Sequence, residues 1–104
     1  MGGRKGEARP LRHEPYRIEI RRKATKAFEQ LPKADQRRIA HDIDLLAADP
    51  RPAGQAKQLE KDIYRIRTGN YRSIYQVSDA DRLVLVLVIG HRRYVYDAYG
   101  RGDW

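Results

Sequence analysis

Arginines recur at fixed places in one stretch of this 104-residue chain, Leu59 to Tyr96: Arg65, Arg67, Arg72, Arg92 and Arg93. Arg65 and Arg67 stand two apart, so on a strand they project from one face. Arg72 follows the triplet Thr68-Gly69-Asn70, and Arg92 and Arg93 follow the last apolar run. A guanidinium is a planar fork of donors that keeps its charge. Several gathered on one surface suit a polyanion, phosphate above all. The alternative is that arginines on a solvent face only keep a basic protein soluble. Histidine is the side-chain type that titrates near neutrality, and His91 stands beside Arg92, where it can serve as acid or base.

The elements that must position these groups follow from periodicity. Ile63–Arg67, Tyr71–Val77 and Leu83–Ile89 have strand length and are rich in β-branched and aromatic residues. Thr68-Gly69-Asn70 is a turn signal in which Gly69 or Asn70 can take positive φ, and Ser78–Arg82 is a polar loop. Two hairpins in succession make a three-strand antiparallel meander, which draws the arginines together. Leu83–Ile89, the longest apolar run, reads as a buried central strand. Upstream, Tyr16, Ile18 and Ile20 alternate with Arg17 and Glu19, a half-buried strand. Ala24, Ala27, Phe28 and Leu31 then form one helical stripe that Pro32 ends. A second helix is predicted from Lys33 to Ala48, with Ile39, Ala40, Ile43, Leu46 and Ala47 as its stripe and Asp35 in its first turn. Asp49–Gly54 is a stop and a loop. The expected architecture is α+β: an N-terminal strand, a two-helix hairpin, then the meander. These make one four-stranded sheet with both helices on one face and the arginines on the other. Tyr64, Ile66, Tyr75 and Val77 pack under the helices. Trp104, at the terminus, is expected to fray.

Composition narrows the class. Lys and Arg number 22 against 14 Asp and Glu, a net charge of +8 that favours an acidic partner, nucleic acid first and an acidic protein next. The absence of cysteine excludes disulfides and thiolate metal sites, and fits a reducing cytoplasm. No apolar run approaches the roughly 20 residues of a membrane span. Residues 1–15 read as a disordered basic arm without the apolar core of a signal peptide, and residues 16–104 as a single domain. There is no phosphate loop, no dinucleotide fingerprint and no HExxH. His13, His41 and His91 are scattered, so neither a metal nor a cofactor is expected.

Taken together, YRIR, GxYRxxYQV as it stands in GNYRSIYQV, and GHRRYVY, in this order, resemble the RelE/ParE superfamily of bacterial toxins over Tyr16 to about Tyr96. The resemblance implies a compact α+β domain similar to small microbial ribonucleases, and a cognate antitoxin that wraps and blocks it. In the RelE branch the activity is cleavage of messenger RNA in the ribosomal A site; in the ParE branch the target is DNA gyrase. RelE-type enzymes carry two basic residues before the turn, matched by Arg65 and Arg67, and an arginine after it, matched by Arg72. They carry an arginine after the last strand and a tyrosine beyond, matched by Arg92 and Tyr96. The implied protein is a cytoplasmic, ribosome-dependent endoribonuclease toxin that acts without metal through the 2′-hydroxyl and pairs with its antitoxin as a hetero-oligomer. Arg65, Arg67, Arg72, Arg92, Tyr96 and His91 are its expected catalytic groups, and Arg93, Tyr94 and Lys57 its expected RNA contacts. Some members carry lysine where Arg65 and Arg67 stand. Arginine cannot act as a general base near neutral pH, so any base must be another group. A gyrase-directed toxin and an inactive toxin-like binding module are the alternative readings.

Overall fold

In the computed structural model, which describes residues 14–104, the chain runs β1 (Arg17–Ile20), α1 (Arg22–Glu29), α2 (Lys33–Leu45), β2 (Ala56–Glu60), β3 (Ile63–Thr68), β4 (Tyr71–Ser78), β5 (Leu83–His91) and α3 (Val95–Gly100). The basic arm expected at the N-terminus lies outside the described residues up to residue 13. One sheet forms in the order β1-β5-β4-β3-β2. Strands β2 to β5 are antiparallel in succession, and β1 joins β5 in parallel. The α+β class, the helical hairpin and the meander are as the sequence predicts. The sheet has a fifth strand, β2, and the chain a third helix, α3. No helix among the described residues is long and apolar enough to cross a membrane.

The unbroken apolar run of β5 is explained by burial on both sides. Tyr75, Val77, Val84, Val86 and Ile66 face the helices, packed with Ile39, Ile43 and Leu46 of the second helix and its C-terminal turn and with Ala24 of α1. Tyr64 packs at the edge of the same cluster. A register shift in the β4–β5 ladder passes Leu87 by, since Ile74 pairs with Val88 and Tyr75 with Val86. The extra residue breaks the strict alternation, as a bulge does. Leu87 and Val88 therefore both join Ile63, Ile74 and Val95 in a second, smaller core on the other face, which α3 covers. Trp104 does not fray: it stacks on Tyr99 at 6.0 Å, its indole N–H donates to the Tyr99 carbonyl at 3.1 Å, and the Arg21 guanidinium lies 5.7 Å from its ring centre. Full burial of each large apolar side chain stabilises by about 1.5–3 kcal/mol. The buried Tyr75 adds a hydrogen bond from its hydroxyl to the Pro50 carbonyl at 2.7 Å.

The second helix ends at Leu45, short of Ala48, and Leu46 to Ala48 continue as turns closed by bonds such as Leu46 N–H to Ile43 C=O. Its polar side is tied to the β3–β4 turn. Asp42 accepts from the Thr68 hydroxyl at 2.6 Å, and Asp35 accepts from the Tyr71 hydroxyl at 3.1 Å and pairs with Arg38. Gly69 takes the left-handed conformation, with φ 61°, that closes the turn. Two carboxylates of one helix thus fix the hairpin that carries Arg67 and Arg72.

Candidate functional site

The cross-strand register sets the arginines. Lys57 of β2 lies directly opposite Arg65 of β3, and Arg67 directly opposite Arg72 of β4. Directly paired residues share a face, with Cβ atoms about 4.5–5.5 Å apart. This face is the one opposite α1 and α2, because the intervening Tyr64 and Ile66 belong to the helix-side core. Like charges placed opposite one another destabilise a ladder, yet two such pairs stand side by side here. Gly90, paired with Arg72, has nothing within 4 Å of where a side chain would begin, so the surface beside Arg72 is open.

Arg72 is 9% exposed, the most buried arginine of the set, and its Nη1 donates to the carbonyls of Gly69 at 3.0 Å and Tyr71 at 2.9 Å. It therefore braces the turn as well as charging the face. Arg65 is half-buried; its Nη1 reaches the Gln55 carbonyl at 3.4 Å and its buried Nε has no partner among the described residues. Lys57 and Arg67 are exposed.

The rim of the site comes from the end of β5. The Arg92 N–H donates to the Asn70 carbonyl at 2.8 Å, which fastens the segment after β5 to the β3–β4 turn. Asn70, His91, Arg92, Arg93 and Tyr94 line a hollow of about 300 Å³ there. His91 pairs with Tyr71 in the ladder, so it follows the parity of the helix-side face rather than that of Arg67 and Arg72. Its ring meets the Tyr71 ring edge-on at 6.0 Å and lies 6.1 Å from Tyr94, and its Nδ1 accepts the Arg93 N–H at 3.2 Å. Tyr96 sits on α3, 41% exposed, and does not line this hollow.

Electrostatics separates this surface from the rest of the molecule. Among the described residues no carboxylate pairs with Lys57, Arg65, Arg67, Arg72, Arg92 or Arg93; the ion pairs lie elsewhere, at Arg17–Glu19, Lys23–Asp103, Arg38–Asp35 and Arg51–Asp79. The Arg51 and Tyr16 hydrogen bonds hold the Asp79 carboxyl below the usual carboxylate range. The Arg38 hydrogen bond, with a further bond from Tyr71, lowers Asp35 likewise. Its bond to Asp35 raises the Tyr71 phenol, which stays a neutral donor. No group of three or more His, Asp or Glu side chains among the described residues is placed to hold a metal ion.

Sequence reasoning found the cations and missed their supports. Asp35 was legible only as a first-turn carboxylate, and Asp42 only as one of several acids in Ile39–Pro50. Neither spacing signals that the partner is the turn Thr68–Tyr71, some thirty residues on. Gly90 was legible as an interruption of the apolar run but not as the open floor beside Arg72.

A family profile described as the ParE toxin of the type II toxin–antitoxin system parDE matches residues 18–96. A RelE-like toxin protein of Escherichia coli is 30% identical over 80 residues, covering 74% of this chain and 83% of that protein. The archaeal RelE–RelB complex of Pyrococcus horikoshii contains a chain 33% identical to this one, with a TM-score of 0.66, covering 75% of this chain and 96% of that one. The isolated RelE toxin of Escherichia coli, 23% identical, shares the fold with a TM-score of 0.65 over 83% of this chain and 97% of that one. With the meander, the helical hairpin and the paired cations in place, the chain belongs to the RelE/ParE superfamily of type II toxin–antitoxin toxins and is RelE-like within it.

Proposed function

We propose that residues 16–104 form a toxin domain that cleaves messenger RNA in the ribosomal A site, in the cytoplasm, and that a cognate antitoxin blocks it. The observation that carries this reading is the pair of like-charged cross-strand couples, Lys57 with Arg65 and Arg67 with Arg72, on a face where no described carboxylate compensates them. Such a surface is electrostatically unfavourable alone and becomes favourable when a phosphate occupies it.

In the proposed step the 2′-oxygen attacks the adjacent phosphorus. The new P–O2′ bond forms as the P–O5′ bond breaks, leaving a 2′,3′-cyclic phosphate and a 5′-hydroxyl. A base takes the 2′-hydroxyl proton and an acid supplies one to the leaving oxygen. Arg65, Arg67, Arg72 and Arg92 stabilise the negative charge of the phosphorane, which concentrates on its equatorial oxygens. Lys57 and Arg93 hold flanking phosphates. Tyr94 and Tyr96, both exposed, offer rings on which a base stacks, worth about 1–3 kcal/mol each. His91 is the imidazole of the rim and serves as the acid or base of this step. The antitoxin of this reading presents an acidic segment to the arginine face, since carboxylates pair with the guanidinium forks that phosphate would otherwise occupy.

Mapping of messenger RNA 5′ ends after induced expression tests the reading. Wild type should create new ends within codons, in fixed phase with the reading frame, and Arg67→Ala and Arg92→Ala should not. DNA damage without new ends would select the gyrase-directed reading, and neither effect would select an inactive binding module.

A further inference from the structure

A groove of about 600 Å³ opens between α2 and the β3–β4 turn. Arg37, Arg38 and His41 line it from the helix and Arg67 from the strand end. Residues at these spacings share one helical face. The β2–β3 ladder begins at Ala56 opposite Ile66, so beyond it the outer edge of β3 carries no strand, and the groove opens beside Arg67 and Thr68.

The acids near this groove are already engaged. Asp42, the carboxylate that lines it, accepts the Thr68 hydroxyl at 2.6 Å. Asp35 pairs with Arg38 and steadies its guanidinium over the turn, 3.6 Å from where a side chain on Gly69 would begin. Arg37, His41 and Arg67 are exposed, and no described carboxylate pairs with them. The same residue, Arg67, belongs to the groove and to the cross-strand couple with Arg72. The positive surface is therefore continuous around the end of the sheet.

We propose that this groove is a second nucleic-acid site, which takes the phosphate backbone of single-stranded RNA flanking the phosphate held on the arginine face. The proposal rests on the reading of that face as an RNA site. A backbone track needs cations at intervals along a channel and no apolar anchor. An acidic protein segment generally docks through buried apolar side chains, and Ala34 is the apolar side chain this groove offers. Such anchors lie instead in a separate hollow of about 410 Å³ lined by Ile18, Ile20, Phe28 and Ile43.

Fluorescence anisotropy of the full chain with labelled 2′-O-methyl oligouridines, which cannot react, tests this between about 50 and 200 mM salt. The tetranucleotide fits the arginine face alone and the dodecanucleotide reaches further. Joint reversal by Arg37→Glu and His41→Glu should leave tetranucleotide binding intact and weaken the dodecanucleotide about tenfold or more. It should also lower the logarithmic salt slope by about 0.7 for each phosphate no longer neutralised. Arg37→Lys should retain the slope, because a point charge suffices to neutralise a backbone phosphate. Arg92→Ala should weaken both lengths. An unchanged dodecanucleotide affinity and slope in the joint reversal, with Arg92→Ala still weakening both, would overturn the groove and leave the arginine face standing. No loss in either variant would overturn both. Loss of polyglutamate binding with dodecanucleotide binding intact would reassign the groove to an acidic protein and overturn its RNA role.

Discussion

Thr68→Val isolates the tether between α2 and the hairpin that carries Arg67 and Arg72. Thr68 is 7% exposed, and its hydroxyl donates to Asp42 at 2.6 Å. Valine keeps the branched shape and removes only the donor. A hydrogen bond to a charged group contributes about 1.5–3 kcal/mol. Asp42 is half-buried and can recover some hydration, so the lower end applies, about 1.5 kcal/mol. For a domain of this size that is a fall in Tm of about 6–12 °C. Thermal unfolding followed by circular dichroism measures it. A double-mutant cycle with Asp42→Ala then asks whether the loss belongs to the pair. A coupling energy of about 1 kcal/mol is expected for residues in direct contact. Additive losses, or a Tm shift under about 2 °C, would refute the claim that this bond holds the hairpin to the helix.

Tyr75→Phe leaves the buried Pro50 carbonyl without its donor and should destabilise by about 1–2 kcal/mol in denaturant titration, with an unchanged m-value. Arg67→Ala and Arg72→Ala should each lower cleavage by about 10²–10³. Only Arg72→Ala should also lower Tm, because only Arg72 braces the Gly69 and Tyr71 carbonyls; equal Tm losses would contradict that division. Asp35 and Asp79 have folded-state pKa values below the ordinary carboxylate value. The unfolded chain therefore binds more protons in that window, so their contribution is full above about pH 4–5 and is lost as pH falls through the folded values. Asp35→Asn with Asp79→Asn should flatten the acid limb of the stability curve, and an unaltered limb would show that other groups set it. His91→Ala should reduce cleavage, but less than Arg67→Ala does; an unchanged rate would remove His91 from proton transfer.

The sheet's centre was legible because its residues obey strong periodicities. Ile63–Arg67 alternates, Tyr71–Val77 is rich in β-branched and aromatic residues, the two helices carry clear stripes, and the turn at Gly69 has the one residue type that takes its φ without cost. The edges were not. Strand β2 reads AKQLE, with Leu59 as its one large apolar side chain, since an edge strand pairs on one side and buries little. Helix α3 is six residues long and carries both Tyr96 and a terminal glycine. Its helicity rests on Val95 packing into the second core, a tertiary contact that no local pattern encodes. The ordering of Trp104 was hidden for the same reason: its partners are Tyr99 on α3 and Arg21, which lies between β1 and α1. The arginines' common face followed from alternation, but the burial of Arg72 did not, because strand parity cannot tell an arginine that reaches solvent from one that folds back onto its own turn.

That difference bears on how the proposed chemistry divides. Every cation brought to the face and rim except Lys57 is an arginine, and arginine stabilises charge but does not exchange protons near neutral pH. At the rim, the Arg93 N–H donates to His91 Nδ1, which assigns the neutral ring's own proton to Nε2. The imidazole then presents a donor to whatever enters the hollow beside Asn70 and Arg92, and proton uptake at Nδ1 requires the Arg93 amide to give up its bond. Arg72, by contrast, donates through Nη1 to two backbone carbonyls of its own hairpin, so its position does not wait for a substrate. Groups fixed before binding contribute most where charge develops, and proton carriers contribute most where they are free to change state. The chain has the first in quantity, braced by Asp35 and Asp42 from below. In the proposed reaction it therefore supplies charge and position, and the proton leaves the 2′-hydroxyl through His91, solvent or the ribosome itself.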